Sequence, residues 1–139
     1  MNMKLLSVAV PCYNSQDYMR HCVETLLPGG DEVEILIVDD GSKDGTAAIA
    51  DELQEAHPGI VRAIHQENAG HGGAVMKGLT YATGLYFKVV DSDDWVDSQV
   101  LKELLDLLRR FHQNGEQVDM VVSDFVYDKV GVRHKKVMR

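Results

Sequence analysis

Short apolar runs rich in β-branched residues, Leu5–Val10, Val33–Val38, Ile60–His65 and Tyr86–Val90, recur along the chain, and a helical pattern follows each of them. Runs of this length suit buried strands, whereas apolar residues spaced three and four apart make one face of a helix. Met19, Cys22, Val23, Leu26 and Leu27 form the first such face, expected to start from an Asn14 or Ser15 cap. Ile49, Leu53 and Ala56 form the second. Val100, Leu101, Leu104, Leu105, Leu108 and Phe111 form the longest, behind a cap at Asp97 or Ser98. Between them, Gly70–Gly73 reads as a glycine loop and Ala74–Ala82 as a short helix weakened by Gly78, and Val118–Phe125 reads as a last strand. Parallel neighbours need crossover connections, so strands that alternate with helices predict a parallel sheet. The expected fold is α/β: three layers, α/β/α, around a mainly parallel, Rossmann-like sheet.

A chain of 139 residues can bury one core, and no apolar run approaches the roughly 20 residues that cross a bilayer. The first apolar stretch breaks at Pro11, so it does not read as a signal peptide. Two cysteines, Cys12 and Cys22, exclude a disulfide scaffold and suggest a reducing, cytoplasmic compartment. Residues 1–128 hold nine basic against 22 acidic side chains, which argues against nucleic-acid binding. Residues 129–139 carry five positive charges and no acid. That basic end lacks an apolar face of its own, so it reads as a solvated terminus or a continuation of the domain in preference to a contact with the inner face of a membrane.

In sheets of this kind ligands bind beyond the carboxyl ends of the strands. Those ends carry Pro11-Cys12-Tyr13-Asn14, Asp39-Asp40-Gly41-Ser42, Asn68-Ala69-Gly70-His71-Gly72-Gly73 and Asp91-Ser92-Asp93-Asp94. Five carboxylates are thereby expected on one rim, where mutual repulsion calls for a compensating cation. Hard oxygen ligands suit Mg2+ or Mn2+, which in turn holds a diphosphate that the acids would otherwise repel. The glycine amides and the helix starting near Ala74 add an anion-binding end. Each piece has a plainer reading as well. Asp39–Gly45 is a good turn and cap, Asp91-Ser92-Asp93 is a short pattern, and His71 reads as an exposed histidine with a phosphate contact as its functional alternative. Cys12 reads as a small buried apolar group, and the glycines match a dinucleotide fingerprint only in part, with Val75 where a third glycine would fall.

Taken in order, Val10-Pro11-Cys12-Tyr13-Asn14, Ile37-Val38-Asp39-Asp40-Gly41-Ser42-Lys43-Asp44-Gly45-Thr46, Asn68-Ala69-Gly70 and Val90-Asp91-Ser92-Asp93-Asp94 resemble the family 2 glycosyltransferases of the GT-A fold. The resemblance implies transfer of a sugar, with inversion, from a nucleotide-sugar donor, usually a UDP-sugar, to a saccharide, lipid-linked or other acceptor hydroxyl. It implies that Pro11 and Tyr13 line the base and ribose pocket and that Asp40, with Asp39 beside it, accepts from the uracil NH. It makes Asp91 face the ribose or the metal, Asp93 the direct ligand of Mn2+ or Mg2+, and Asp94 a sugar contact, while Asn14, Asn68, Gly70, Gly72 and Ser92 complete the donor pocket. Relatives often carry an Arg after the Asn-x-Gly segment, where this chain offers only His71 and Lys77. Residues 1–128 are thus expected to form the nucleotide-sugar-binding part of a truncated GT-A domain, with the catalytic base beyond Arg139. A free sheet edge could pair with another copy. A receiver-like signalling domain holding Mg2+ in an acidic pocket is the alternative, although Tyr13 and Asn14 stand where its acidic pair would follow the first strand.

Overall fold

Every residue of the first strand, β1 (Leu6–Cys12), is buried, as befits the middle of a sheet covered on both faces. The computed structural model describes residues 4–114 and the backbone of residues 126–127. After β1 come α1 (Met19–Leu26), a 3-10 segment (Leu27–Glu32), β2 (Val33–Asp40), α2 (Thr46–Ala56), β3 (Val61–Gln66), α3 (Gly70–Tyr81), β4 (Tyr86–Val89), β5 (Trp95–Val96), α4 (Ser98–Gln113) and β6 (Val126–Tyr127). The four longer strands form one parallel sheet in the order β3-β2-β1-β4. The two short ones, β5 and β6, pair antiparallel. The strand expected over Val118–Phe125 and the basic end at 129–139 lie outside the described residues.

The layers are unequal. On one face Val8, Val10, Ile35 and Ile37 meet Met19, Cys22, Val23 and Leu26 of α1, Ala50 and Leu53 of α2, and Leu101, Leu105 and Leu108 of α4 in a single cluster. On the other face α3 is, among the described residues, the one helix that covers the sheet, with Ala74 set against Leu36, Val38 and Ile64. Alternation along the strands separates the two sets, because successive side chains of β2 point to opposite faces. Gly78, expected to weaken this helix, is what lets it approach. A Cβ there would stand 2.7 Å from that of Ala9 on β1.

Two element boundaries and one buried face differ from those expected. Helix α1 begins at Met19 rather than at Asn14 or Ser15, because Asn14 adopts φ 50° and the carbonyl of Ser15 accepts from the amides of both Tyr18 and Met19, closing a turn first. In α2 the buried face runs through Thr46, Ala50 and Leu53 with Ile49 half-buried, while Ala56 is exposed. Helix α3 starts at Gly70, four residues before the expected Ala74, so the glycines form its first turn and not a loop. By contrast α4 begins at its expected cap: Asp97 Oδ1 accepts from the amides of Gln99 at 2.8 Å and Val100 at 3.0 Å.

Gly78→Val should lower the unfolding free energy by about 1–3 kcal/mol in urea denaturation, the usual cost of overpacking. Leu79→Ala, on the exposed side of the same helix, should stay within about 0.5 kcal/mol of the parent.

Candidate functional site

The loops after β1 and β2 are locked to each other. The amide of Asn14 donates to Ser42 Oγ at 2.9 Å, and Asn14 Oδ1 accepts from the amide of Lys43 at 2.8 Å. The amide of Ser15 donates to Thr46 Oγ1 at 2.7 Å. Asp44 accepts from Thr46 at 2.9 Å, and this hydrogen bonding holds its carboxyl below the usual range. Asn tolerates the left-handed backbone that this exchange requires.

At the end of β2, Asp39 and Asp40 are both nearly sealed from water, at 4% and 3% exposure. The parallel register sets Asp39 beside His65 and Asp40 beside Gln66. Asp40 Oδ1 accepts from Gln66 Nε2 at 2.9 Å and from the amide of Ala69 at 2.7 Å, and Oδ2 accepts from the amide of Gly70 at 3.0 Å. The first amides of a helix have no acceptor within it. Asp40 supplies one from another strand, which is why the poor helix formers at Gly70–Gly73 are helical. Gly41, with φ 73°, lets the chain pass close by, since a Cβ there would stand 2.7 Å from the amide nitrogen of Asn68.

Asp39 is satisfied separately. Its Oδ1 accepts from the amide of Ser42 at 3.0 Å, and its Oδ2 pairs with His65 Nδ1 at 2.9 Å. His65 Nε2 reaches Asp51 Oδ1 on α2 at 2.8 Å. Hydrogen bonds to Asp51 and then Asp39 raise the His65 pKa against the opposing effect of burial. Two carboxylates can both accept from this ring only when it carries both protons. Cys12, as expected, is a buried thiol, and burial pushes its pKa up to about 12.

The loop after β4 closes a turn in which the amide of Asp94 donates to the carbonyl of Asp91 at 3.0 Å. Ser92 Oγ donates to Ser15 Oγ at 2.7 Å, and His71 Nε2, from the first turn of α3, meets Asp91 Oδ1 at 2.7 Å. The five carboxylates expected on one rim do not share one environment. Asp39 and Asp40 are met by protein donors and Asp91 by His71. Among the described residues no group of three or more His, Cys, Asp or Glu side chains is disposed to hold a metal.

What the strand ends do enclose is a cleft of two adjoining pockets, each of about 270 Å3. Pro11, Tyr13 and His71 line both. The first adds Cys12, Asp40, Asn68, Gly70 and Ala74, and the second adds Asn14, Ser15, Tyr18, Asp91, Ser92 and Asp93. Of the residues singled out in the sequence, Asp39, Gly72, Asp94 and Lys77 line neither pocket. Lys77 is directed along α3, its Nζ 6.0 Å from the centre of the Tyr81 ring. Tyr18 was missed because Asn14–Tyr18 reads as the start of a helix; as a loop, this segment presents a half-exposed ring to the cleft. A larger hollow of about 710 Å3 lies between α2 and the start of β3, beside Pro58, Gly59 and Ile60, away from these loops.

Comparison with known proteins gives a consistent picture. A family model described as Glycosyl transferase family 2 matches residues 7–137. Glycosyltransferase GlyG of Streptococcus pneumoniae is 36% identical over 130 residues, covering 91% of this chain and 41% of GlyG. Chondroitin synthase of Escherichia coli is 36% identical over 107 residues, covering 76% of this chain and 16% of the synthase. The crystal structure of S. aureus TarS in complex with UDP superposes with a TM-score of 0.69 at 28% identity, covering 78% of this chain and 33% of that one. This chain thus spans less than half the length of each of these relatives.

Two substitutions test the local account. Asp40→Asn turns an acceptor into an amide that cannot accept from Gln66, Ala69 and Gly70 together, and should cost about 1–3 kcal/mol in urea denaturation. For His65, whose folded pKa is raised, the stabilising contribution is complete below its unfolded value of about 6.5 and fades as pH rises through the folded value. The advantage over His65→Gln should therefore shrink above about pH 6.5, as denaturation at a series of pH values would record. It should stay under about 1 kcal/mol, since the ring is 40% exposed and screened.

Proposed function

The chain belongs to glycosyl transferase family 2, and on that premise we propose that its cleft holds a nucleoside-diphosphate sugar, with UDP as the nucleotide, for inverting transfer of the sugar to an acceptor hydroxyl. The fold is the GT-A type of α/β sheet, and family membership displaces the receiver-like alternative. The observation that carries the reading is the pair of pockets joined at Pro11, Tyr13 and His71. One has the depth and apolar wall for a base, and the other has the acids for a metal and phosphates.

In the first pocket the uracil ring lies against Pro11 and the half-exposed Tyr13, and its NH points to Asp40. A carboxylate oxygen has two lone pairs, and among the described contacts Asp40 Oδ2 uses one, for Gly70. The remaining lone pair can accept from one more donor. The amino end of α3, with its partial positive charge, borders the same space and favours the diphosphate. That the crystal structures of TarS contain UDP and UDP-GlcNAc supports the choice of uridine.

In the second pocket Asp91 and Asp93 are the residues that would hold Mn2+ or Mg2+. Two carboxylates, with no third protein ligand among the described residues, fit such an ion, which completes its shell from water and substrate phosphate oxygens. When bound, it would supply charge stabilisation for the departing diphosphate. Around it, Ser92 is fixed by Ser15, so the loop after β4 is tied to the loop after β1 and the acids are presented from a braced turn. Residues 1–128 act in this reading as the donor-binding unit, and the acceptor is of the saccharide or lipid-linked hydroxyl class.

Calorimetric titration with UDP should show binding that strengthens when Mn2+ is added. Asp93→Ala should remove the metal-dependent increment and leave metal-free UDP affinity in place. Absence of UDP binding, or GDP binding more tightly than UDP, would sink the assignment.

A further inference from the structure

His71 lines both pockets and, through a 2.7 Å contact, is joined to one oxygen of one proposed metal-binding carboxylate. A carboxylate oxygen only accepts, so the Nε2–H of His71 donates and Asp91 Oδ1 receives. The two groups come from distant segments, the first turn of α3 and the loop after β4, and both are half or more exposed. In water an exposed pair of this kind contributes little to stability. Its effect is on orientation. With Oδ1 engaged, the Asp91 side chain loses rotameric freedom, and Oδ2 is the oxygen that His71 leaves available. Helix α3 is itself anchored by Asp40 through Gly70, the residue next to His71, so the imidazole projects from a fixed point.

We propose that His71 is a positioning residue for Asp91: it holds the carboxylate in the rotamer that presents Oδ2 to a divalent cation, and so raises the affinity of the site for that cation when a nucleoside diphosphate is present. This rests on the reading of the cleft as a donor site. Carboxylates that bind metals are commonly held by a second hydrogen bond, and losing that partner typically weakens metal affinity by about 10–100-fold. Lys77, the other cation expected near the cleft, has its ammonium beside Tyr81 and cannot take this part.

The test is Mn2+ binding to the full chain in saturating UDP, followed by electron paramagnetic resonance of free Mn2+, with metal-free uridine binding measured by calorimetry in parallel. His71→Ala should weaken Mn2+ binding in saturating UDP by about 10–100-fold, a far larger factor than any change it makes in metal-free uridine affinity. His71→Gln, whose side-chain NH2 can replace the Nε2 donor, should recover most of the loss. If His71→Ala binds Mn2+ as the parent does, or if Gln fails to rescue, the positioning role is wrong while the donor site stands. A parallel loss in metal-free UDP affinity would make His71 a phosphate contact and also overturn the role. If the parent binds neither UDP nor Mn2+ with UDP, the donor-site reading falls and takes this inference with it.

Discussion

A carboxylate withdrawn from water must be met by donors, because an unpaired buried charge costs several kcal/mol. Asp40 meets that demand with the side chain of Gln66 and the opening amides of α3. Much of the site's shape follows from these bonds. They place the start of the helix at Gly70, bring His71 to the mouth of the cleft, and press the Asp40-Gly41 turn against Asn68. The parallel register of β2 and β3 makes the arrangement attainable by setting Gln66 next to Asp40 in space. A single acidic side chain at a strand end thus determines where the next crossover begins.

The four strands of the parallel sheet were legible in the sequence because each is a short apolar run that ends at a turn signal, and their observed bounds differ from the expected ones by only a residue or two, whereas the short β5 and β6 were not anticipated. The face of α1 was legible for the same reason: Met19, Cys22, Val23 and Leu26 all lie fully buried. Asp97 announced itself as a cap because its acceptor lies next to the amides that it serves. Helix α3 was not legible at its start. Four residues at Gly70–Gly73 with three glycines argue for a loop by propensity, and the interaction that overrides it comes from Asp40, about thirty positions earlier, the separation that its hydrogen bond to Gly70 spans. Gly78 was misread in the same way, since its close approach to Ala9 depends on how the helix lies on the sheet.

The grouping of site residues was visible only in outline. Strand-end logic brought Pro11, Tyr13, Asp40, Asn68, Gly70, His71, Asp91 and Asp93 to one cleft, and they line it. Counting carboxylates did not reveal how they are shared. Asp39 turns to His65 and Ser42 and reinforces the sheet edge, Asp40 holds a helix, and the pair at Asp91 and Asp93 faces the open pocket. For Asp39, Asp40 and Asp91, charge repulsion is relieved by neighbouring donors, and that distribution depends on register and rotamers.

The uneven layering has an evolutionary corollary. The larger cluster, from β1 through α4, contains no residue of α3, so the helix that borders the proposed base pocket stands apart from the principal folding core. A lineage could exchange that one segment, retaining a small residue where it crosses β1, and reshape one wall of the pocket while Pro11, Tyr13 and Asp40 stayed in place on the rest of the domain.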